Sequence, residues 1–376
     1  MTFAPETLSI VRSRPRSTPK LVSVGVLMSM LCCAPATLSA QDSEAGDNVG
    51  VTRLFADNTP LKVTIEAPLT TLMKERPEDE YLEGKISFAG DDGNVQTVDL
   101  KLRTRGKYRR SEENCEFAPI RLNFRKKQVA DTVFAGQDKL KLVTHCQDDS
   151  FLYRQLVLRE YLAYRILNVM TSKSYGVRLL EIKYVDTEGA RPMTTVGFVI
   201  EDDDAVAARN GMTPIKRGDI SMHDLDPAQQ NLVHMFQYLI GNTDYSLYRS
   251  EPDDDCCHNS DLLSATDGAP FTPLPYDFDF AGLVNAPYAK PHPRYELMNV
   301  RVRLYRGLCK NNDLLPGTIQ QFVDKQDAIF SIIEDLELLS SRSRRYVTRY
   351  LSAFYDYCTK PQSIKRRFID HCVESP

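Results

Sequence analysis

Three short stretches carry residue types that can do chemistry, and their order is informative. "GNTDYSLY" (241–248) puts Asp244 just past a helical segment, "HN" (258–259) follows an acidic excursion, and "PYDFDF" (275–280) sets Asp277 and Asp279 around Phe278 in an apolar run. Burying a carboxylate is unfavourable unless it is paired or holds a metal, so the D-F-D pair needs a reason. Phosphoryl transfer to a hydroxyl uses such parts: a carboxylate that takes or orients the hydroxyl proton, and an Asn and an Asp whose oxygens hold Mg²⁺ against phosphates. Asp, then Asn, then Asp-Phe is the order of a kinase catalytic loop and metal motif. On this reading Asp244 is the base, Asn259 and Asp277 are metal ligands, and Asp279 is a second carboxylate ligand or a hydrogen-bond organiser. Each piece also has a plainer reading. Asn-Thr-Asp after a helix makes a turn, and residues two apart on a strand share one face, so both aspartates can point to solvent.

The elements that must position these residues change character along the chain. Residues 61–69, 82–90, 95–106 and 118–126 alternate apolar and polar, as strands of an antiparallel sheet do, and "DDGN" (91–94) is a hairpin signal. Residues 148–170 switch to helical spacing, with Asp149 or Ser150 as the cap and an apolar face through Leu152, Leu156, Tyr161, Leu162, Ile166 and Leu167. Two further strands, 177–186 and 194–202, follow. "DPAQQNLVHMFQYLIGN" (226–242) has an N-cap aspartate, proline at the first helical position and glycine past the end. From about Pro316 the chain reads as mostly helical. Strands before helices imply an α+β protein with a strand-rich N-lobe, about 61–202, a helical C-lobe, about 203–376, and a ligand cleft between them.

With these pieces in order, residues 100–290 resemble the CotH family, the spore-coat-type atypical kinases. The resemblance is carried by "LRTRG" (102–106), "PIRLNF" (119–124), "KLKLVTHCQDDSFLYRQLVLREYLA" (139–163), "GFVIED" (197–202), "NTDY" (242–245) and "PYDFDF" (275–280). It implies a kinase-like two-lobed fold over residues 61–376, ATP with Mg²⁺ or Mn²⁺ as cofactors, and Ser/Thr hydroxyls of a protein as acceptor. It also implies a glutamate near the nucleotide, here Glu201, and cations on the phosphates. The family's second lysine in "PIRLNF" is replaced by Asn123, so Arg121 is the candidate there, because guanidinium binds phosphate oxygens well. Arg105, Lys139 and Lys141 complete the candidate cations, each with a solvated strand face as its plainer alternative. The loop between Asp244 and Asn259 is longer than the family pattern.

Composition sets outer bounds. Arg12, Arg14, Arg16 and Lys20 precede an apolar run at 21–33, and small residues at Ser39 and Ala40 precede Gln41. This is the order of a secretory signal over 1–40, with an uncleaved anchor as the alternative. Residues 41–60 then read as a linker. No later run is long and apolar enough to span a membrane. Without residues 1–40 the net charge is about −7, which argues against a nucleic-acid partner. Seven cysteines remain, an odd number, so export predicts disulfides and at least one unpaired thiol. The simplest staple joins Cys256 or Cys257 to Cys309. Two readings compete: an exported metal- and ATP-dependent phosphotransferase, and a non-catalytic surface or binding protein with the same site. A third, a metal-dependent hydrolase on the two aspartates, lacks supporting histidine spacing.

Overall fold

The computed structural model describes residues 50–250, 255–266 and 268–374. The proposed signal, residues 1–40, lies outside them. A short helix, α1 (Arg53–Ala56), buries Leu54 and Phe55, so the expected loose linker to residue 60 does not extend this far. β1 (Leu61–Ala67) and α2 (Leu69–Glu75) follow, then β2 (Leu82–Ala89), β3 (Val95–Thr104), β4 (Ile120–Phe124) and β5 (Lys139–Val143). The long helix α3 (Phe151–Met170) precedes β6 (Val177–Asp186) and β7 (Met193–Ile200). Ser150 caps α3 by accepting from the Tyr153 N–H.

These seven strands do not form the sheet of a separate lobe. They close in the order β1-β2-β3-β4-β5-β7-β6, and β6 returns to pair with β1 in parallel, Leu61 opposite Leu180 through Ala67 opposite Asp186. The expected two-lobed, kinase-like arrangement is therefore corrected to a closed seven-stranded barrel within a mixed α/β protein. The closing pair joins segments more than a hundred residues apart, which local alternation does not reveal. Ile65, Ile86, Leu102, Leu122, Leu140 and Ile182 fill the interior and are fully buried. β7 is apolar on both faces because Val199 points into the barrel while Phe198 and Ile200 pack outward with α3.

The remainder is α4 (Asp203–Arg209), β8 (Thr213–Pro214), α5 (Pro227–Ile240), β9 (Ser260–Ser264) and β10 (Thr272–Pro275), then α6 (Leu315–Asp324), α7 (Gln326–Glu334) and α8 (Ser341–Cys358). β8, β9 and β10 make a small antiparallel sheet, so strands are not confined to the first half. α5 starts and stops as its residues dictate. Asp226 accepts from the Gln229 N–H, Pro227 opens the helix and Gly241 closes it at φ 67°. α3 is buried on nearly every side from Gln155 onward, because the barrel and the later helices enclose it.

Disulfides join Cys115 to Cys146 and Cys309 to Cys372, as expected of an oxidising compartment. Cys256 pairs with its neighbour Cys257, so the expected staple to Cys309 does not form; Cys372 lies within reach of Cys309 instead. Cys358 is the unpaired thiol among the described residues, and it is buried. No helix of the described residues is long and apolar enough to cross a membrane.

Candidate functional site

Asp244 follows α5 on a turn. Gly241 reverses the chain, and the Asn242 side chain accepts from the Asp244 N–H at 2.9 Å. One carboxylate oxygen faces His258 Nε2 at 3.0 Å. Asn259 donates through Nδ2 to the Asp244 backbone oxygen at 2.8 Å and to its carboxylate at 3.2 Å. The long loop between Asp244 and Asn259 therefore returns to its start.

The β9–β10 hairpin brings in the third piece. Tyr276 donates its N–H to the Asn259 carbonyl at 3.0 Å, extending the ladder one residue past Pro275 opposite Ser260. Asp277, next along, is thus brought beside Asn259. Both have left-handed backbones, φ 53° and 57°, a conformation that Asn and Asp tolerate better than most residues. The Asp277 N–H donates to the Tyr164 hydroxyl on α3 at 2.9 Å. The side chain is 40% exposed, yet its Oδ1 is buried and accepts no hydrogen bond.

Asp279 turns the other way. It is 5% exposed, lies 3.4 Å from Arg109 Nε, and accepts from the Tyr288 hydroxyl at 3.0 Å. Arg109 also donates to Glu160 on α3 at 3.2 Å and lies 3.6 Å from Asp277. One guanidinium thus sits among three carboxylates. Burial pushes the Glu160 carboxyl up to about 7, with Arg109 pulling back. Burial likewise holds Asp279 well above the usual carboxylate range, against the pull of Arg109. These carboxylates hold Arg109 charged despite its own burial. The position suits a hydrogen-bond organiser, one of the two roles expected of Asp279.

The candidate cations come from the barrel's outer face. Arg121 on β4 lies opposite Arg103 on β3 and Lys141 on β5, and Arg105 follows the end of β3. Lys141 Nζ stands 5.0 Å over the ring of Tyr276 and 5.6 Å over that of Tyr175. Arg105, Arg121 and Lys141 make no side-chain hydrogen bond or ion pair with a described residue. Burial lowers the pKa of Arg105, Asp277 opposes this, and Arg109 and Arg121 add to it. Burial also lowers that of Lys141, helped by Arg105. Arg105, Lys141, Tyr164, Tyr276 and Asp277 line one cleft, whose free space is about 10 Å³, roughly one water.

Glu201 and Lys139 do not join this cluster. Glu201 is buried, and its oxygens accept from Arg209 at 3.0 and 3.2 Å and from the Gly176 N–H at 2.8 Å. A side chain at Gly176 would meet Glu201 at 2.9 Å, so glycine permits the contact. Lys139 is exposed. Arg109, Glu160, Tyr164, Tyr288 and His258 were not expected from sequence. The one available signal was Glu160, a carboxylate within the apolar run "LREYLAY" (158–164).

No group of three or more His, Cys, Asp or Glu side chains among the described residues is placed to hold a metal by itself. The part-exposed Asp277 carboxylate, whose Oδ1 accepts no hydrogen bond although Arg109 lies 3.6 Å away, and the Asn259 side chain could offer oxygens to a cation of the Mg²⁺ type, which takes one or two protein ligands and completes its shell with phosphate and water. Compared with known proteins, the chain matches no protein-family model and no curated protein.

Proposed function

We propose that the protein is an exported phosphotransferase that uses ATP with Mg²⁺ or Mn²⁺ to phosphorylate hydroxyl side chains of a secreted or surface protein. One observation carries the reading. Arg105, Arg121 and Lys141, which make no side-chain hydrogen bond or ion pair with a described residue, adjoin the oxygen-bearing residues Asp277, Asn259 and Asp244. Clustered like charges lower one another's stability unless an anion lies among them. A polyphosphate with its metal is such an anion, and positioning plus charge stabilisation is most of what phosphoryl transfer asks of a protein. A bound Mg²⁺ or Mn²⁺ would neutralise charge on the phosphates. Asp277 and Asn259 would hold it, and the three cations would orient the phosphate oxygens. Asp244 would accept the acceptor hydroxyl's proton, with its carboxylate aimed by Asn259 and His258. This assignment rests on the residues of the site and on the CotH-type motifs, not on a kinase fold.

One feature favours the second reading, a non-catalytic binding protein. The cleft has room for about one water, so a nucleotide enters only if the barrel and the β9–β10 hairpin part. Calorimetric titration of the mature chain with ATP and Mn²⁺ separates the two. Binding that needs both components is expected. Asp277→Ala should abolish it, whereas Asp244→Ala should keep binding within about twofold and lose phosphate transfer, because a base acts on the acceptor. Binding of ATP–Mn²⁺ by Asp277→Ala at wild-type affinity overturns the metal assignment. Intact binding with no transfer to any hydroxyl substrate by the wild type selects the non-catalytic reading.

A further inference from the structure

A roomy cavity among the described residues shares no lining residue with the Asp277 cleft. It opens at a mouth of the barrel, where β1 and β6 end and β7 begins, and measures about 560 Å³, within the range of small-molecule sites. Its apolar wall includes Met73, Phe117, Tyr184 and Met193. Tyr184 is 1% exposed, yet its hydroxyl makes no hydrogen bond. Its ring lies 4.8 Å from that of Phe117, which packs 4.7 Å from His145, whose Nδ1 is also buried without a partner. A buried polar atom left unpaired is unfavourable, so a group that pairs with the Tyr184 hydroxyl would gain by entering.

The rim is acidic. Asp148 and Asp149 are exposed on it. His145 Nε2 holds one Asp148 oxygen at 2.8 Å, and Asp149 makes no side-chain hydrogen bond or ion pair with a described residue. Asp186 is taken up by the Leu69 N–H and the Thr70 hydroxyl, each at 2.7 Å. Arg191 is the single basic residue of the lining, so carboxylates outnumber it.

We infer that this mouth is a second binding site, and that its ligand is a small organic cation with a ring-bearing apolar body. The body lies on Phe117, Tyr184 and the two methionines. A hydroxyl at one end pairs with the Tyr184 hydroxyl, and an ammonium at the other meets Asp148 and Asp149. The inference does not depend on the phosphotransferase reading, because the two sites are built from different residues.

The test uses three probes of one shape and different charge, titrated calorimetrically into residues 41–376 at pH 7: tyramine, 4-ethylphenol and 3-(4-hydroxyphenyl)propionate. Tyramine should bind about tenfold more tightly than 4-ethylphenol, as one charge-assisted contact at the rim would give, and the propionate should bind most weakly. Asp148→Asn with Asp149→Asn should erase the preference for tyramine. Tyr184→Phe should weaken tyramine and 4-ethylphenol alike, and Asp277→Ala should leave tyramine binding unchanged even if it abolishes ATP–Mn²⁺ binding. Unfolding midpoints identify any variant that fails to fold, and the two rim substitutions decide the matter if Tyr184→Phe does. Equal affinity for all three probes, no measurable binding by any, or an undiminished tyramine preference in the rim variant overturns the inference.

Discussion

The barrel interior and the cluster around Arg109 are both shut off from water, but opposite kinds of force hold them. Inside the barrel, side chains such as Leu102, Leu122 and Leu140 are fully buried in one apolar cluster. Their stabilisation comes from area removed from water and close packing, and it has no charge to titrate. Around Arg109, Glu160 and Asp279 are almost as deeply buried, and one guanidinium answers them together with Asp277. Such a cluster tolerates no missing partner, because whatever remains is an uncompensated charge in a poor solvent. The apolar region supports the fold without regard to pH. The charged cluster anchors the D-F-D segment to Arg109, in the connection between β3 and β4, and to α3 at once, and it makes that anchoring depend on protonation.

The largest effect should come from removing the shared cation. Arg109→Met should destabilise the protein by about 4 kcal/mol at pH 7, because Glu160 and Asp279 lose their counter-charge. The deficit should shrink toward acid pH, where these carboxyls are neutral. Urea unfolding at pH 7 and pH 5 measures both. A deficit below about 1 kcal/mol at pH 7 would mean that Arg109 balances little charge there, and the contrast would collapse.

Leu102→Ala should cost about 3 kcal/mol through lost contacts and a residual cavity. Leu102 is fully buried in the barrel, so the deficit should be equal at both pH values. A pH-dependent deficit at this position would show that the barrel interior is coupled to the charged cluster.

The smallest and most diagnostic effect is a slope. In the folded protein Glu160 titrates near 7, against an ordinary value of 4.5. The folded chain therefore keeps a proton that the unfolded chain has released, and stability from this group falls as pH rises from about 4.5 to 7. Glu160→Gln should flatten that fall. Superimposable slopes for the two proteins would place Glu160 as an ordinary ionised carboxylate.

Much of the candidate site was legible because its signals are short. Asp244, Asn259 and Asp277 lie in three brief segments, each beside a helix end or a strand end, and turn chemistry alone places such residues on display. Arg109 and Glu160 were not legible. Arg109 lies in the basic run "KYRR", which carries no burial signal, and Glu160, four residues after Leu156, falls within the apolar face of α3, where the sequence offers no partner for it. That face became interior because the barrel and α7 and α8 enclose the helix from both sides. Leu152, expected in the apolar face, is instead 47% exposed.

By itself the sequence determined what depends on neighbours within a few residues. Asp226, Pro227 and Gly241 bounded α5, Ser150 started α3, and alternation marked most barrel strands, because caps and strand faces are local properties. Tertiary structure decided what depends on distant partners. It closed the sheet by pairing β1 with β6, joined Cys309 to Cys372 rather than to the 256–257 pair, and turned Asp279 to Arg109 while leaving an Asp277 oxygen without a hydrogen bond. The reason is physical. A long-range strand pair, disulfide or ion pair forms only after the chain has closed a loop of tens to hundreds of residues. Which loop closes is settled by the packing of the whole core, not by the residues at its two ends.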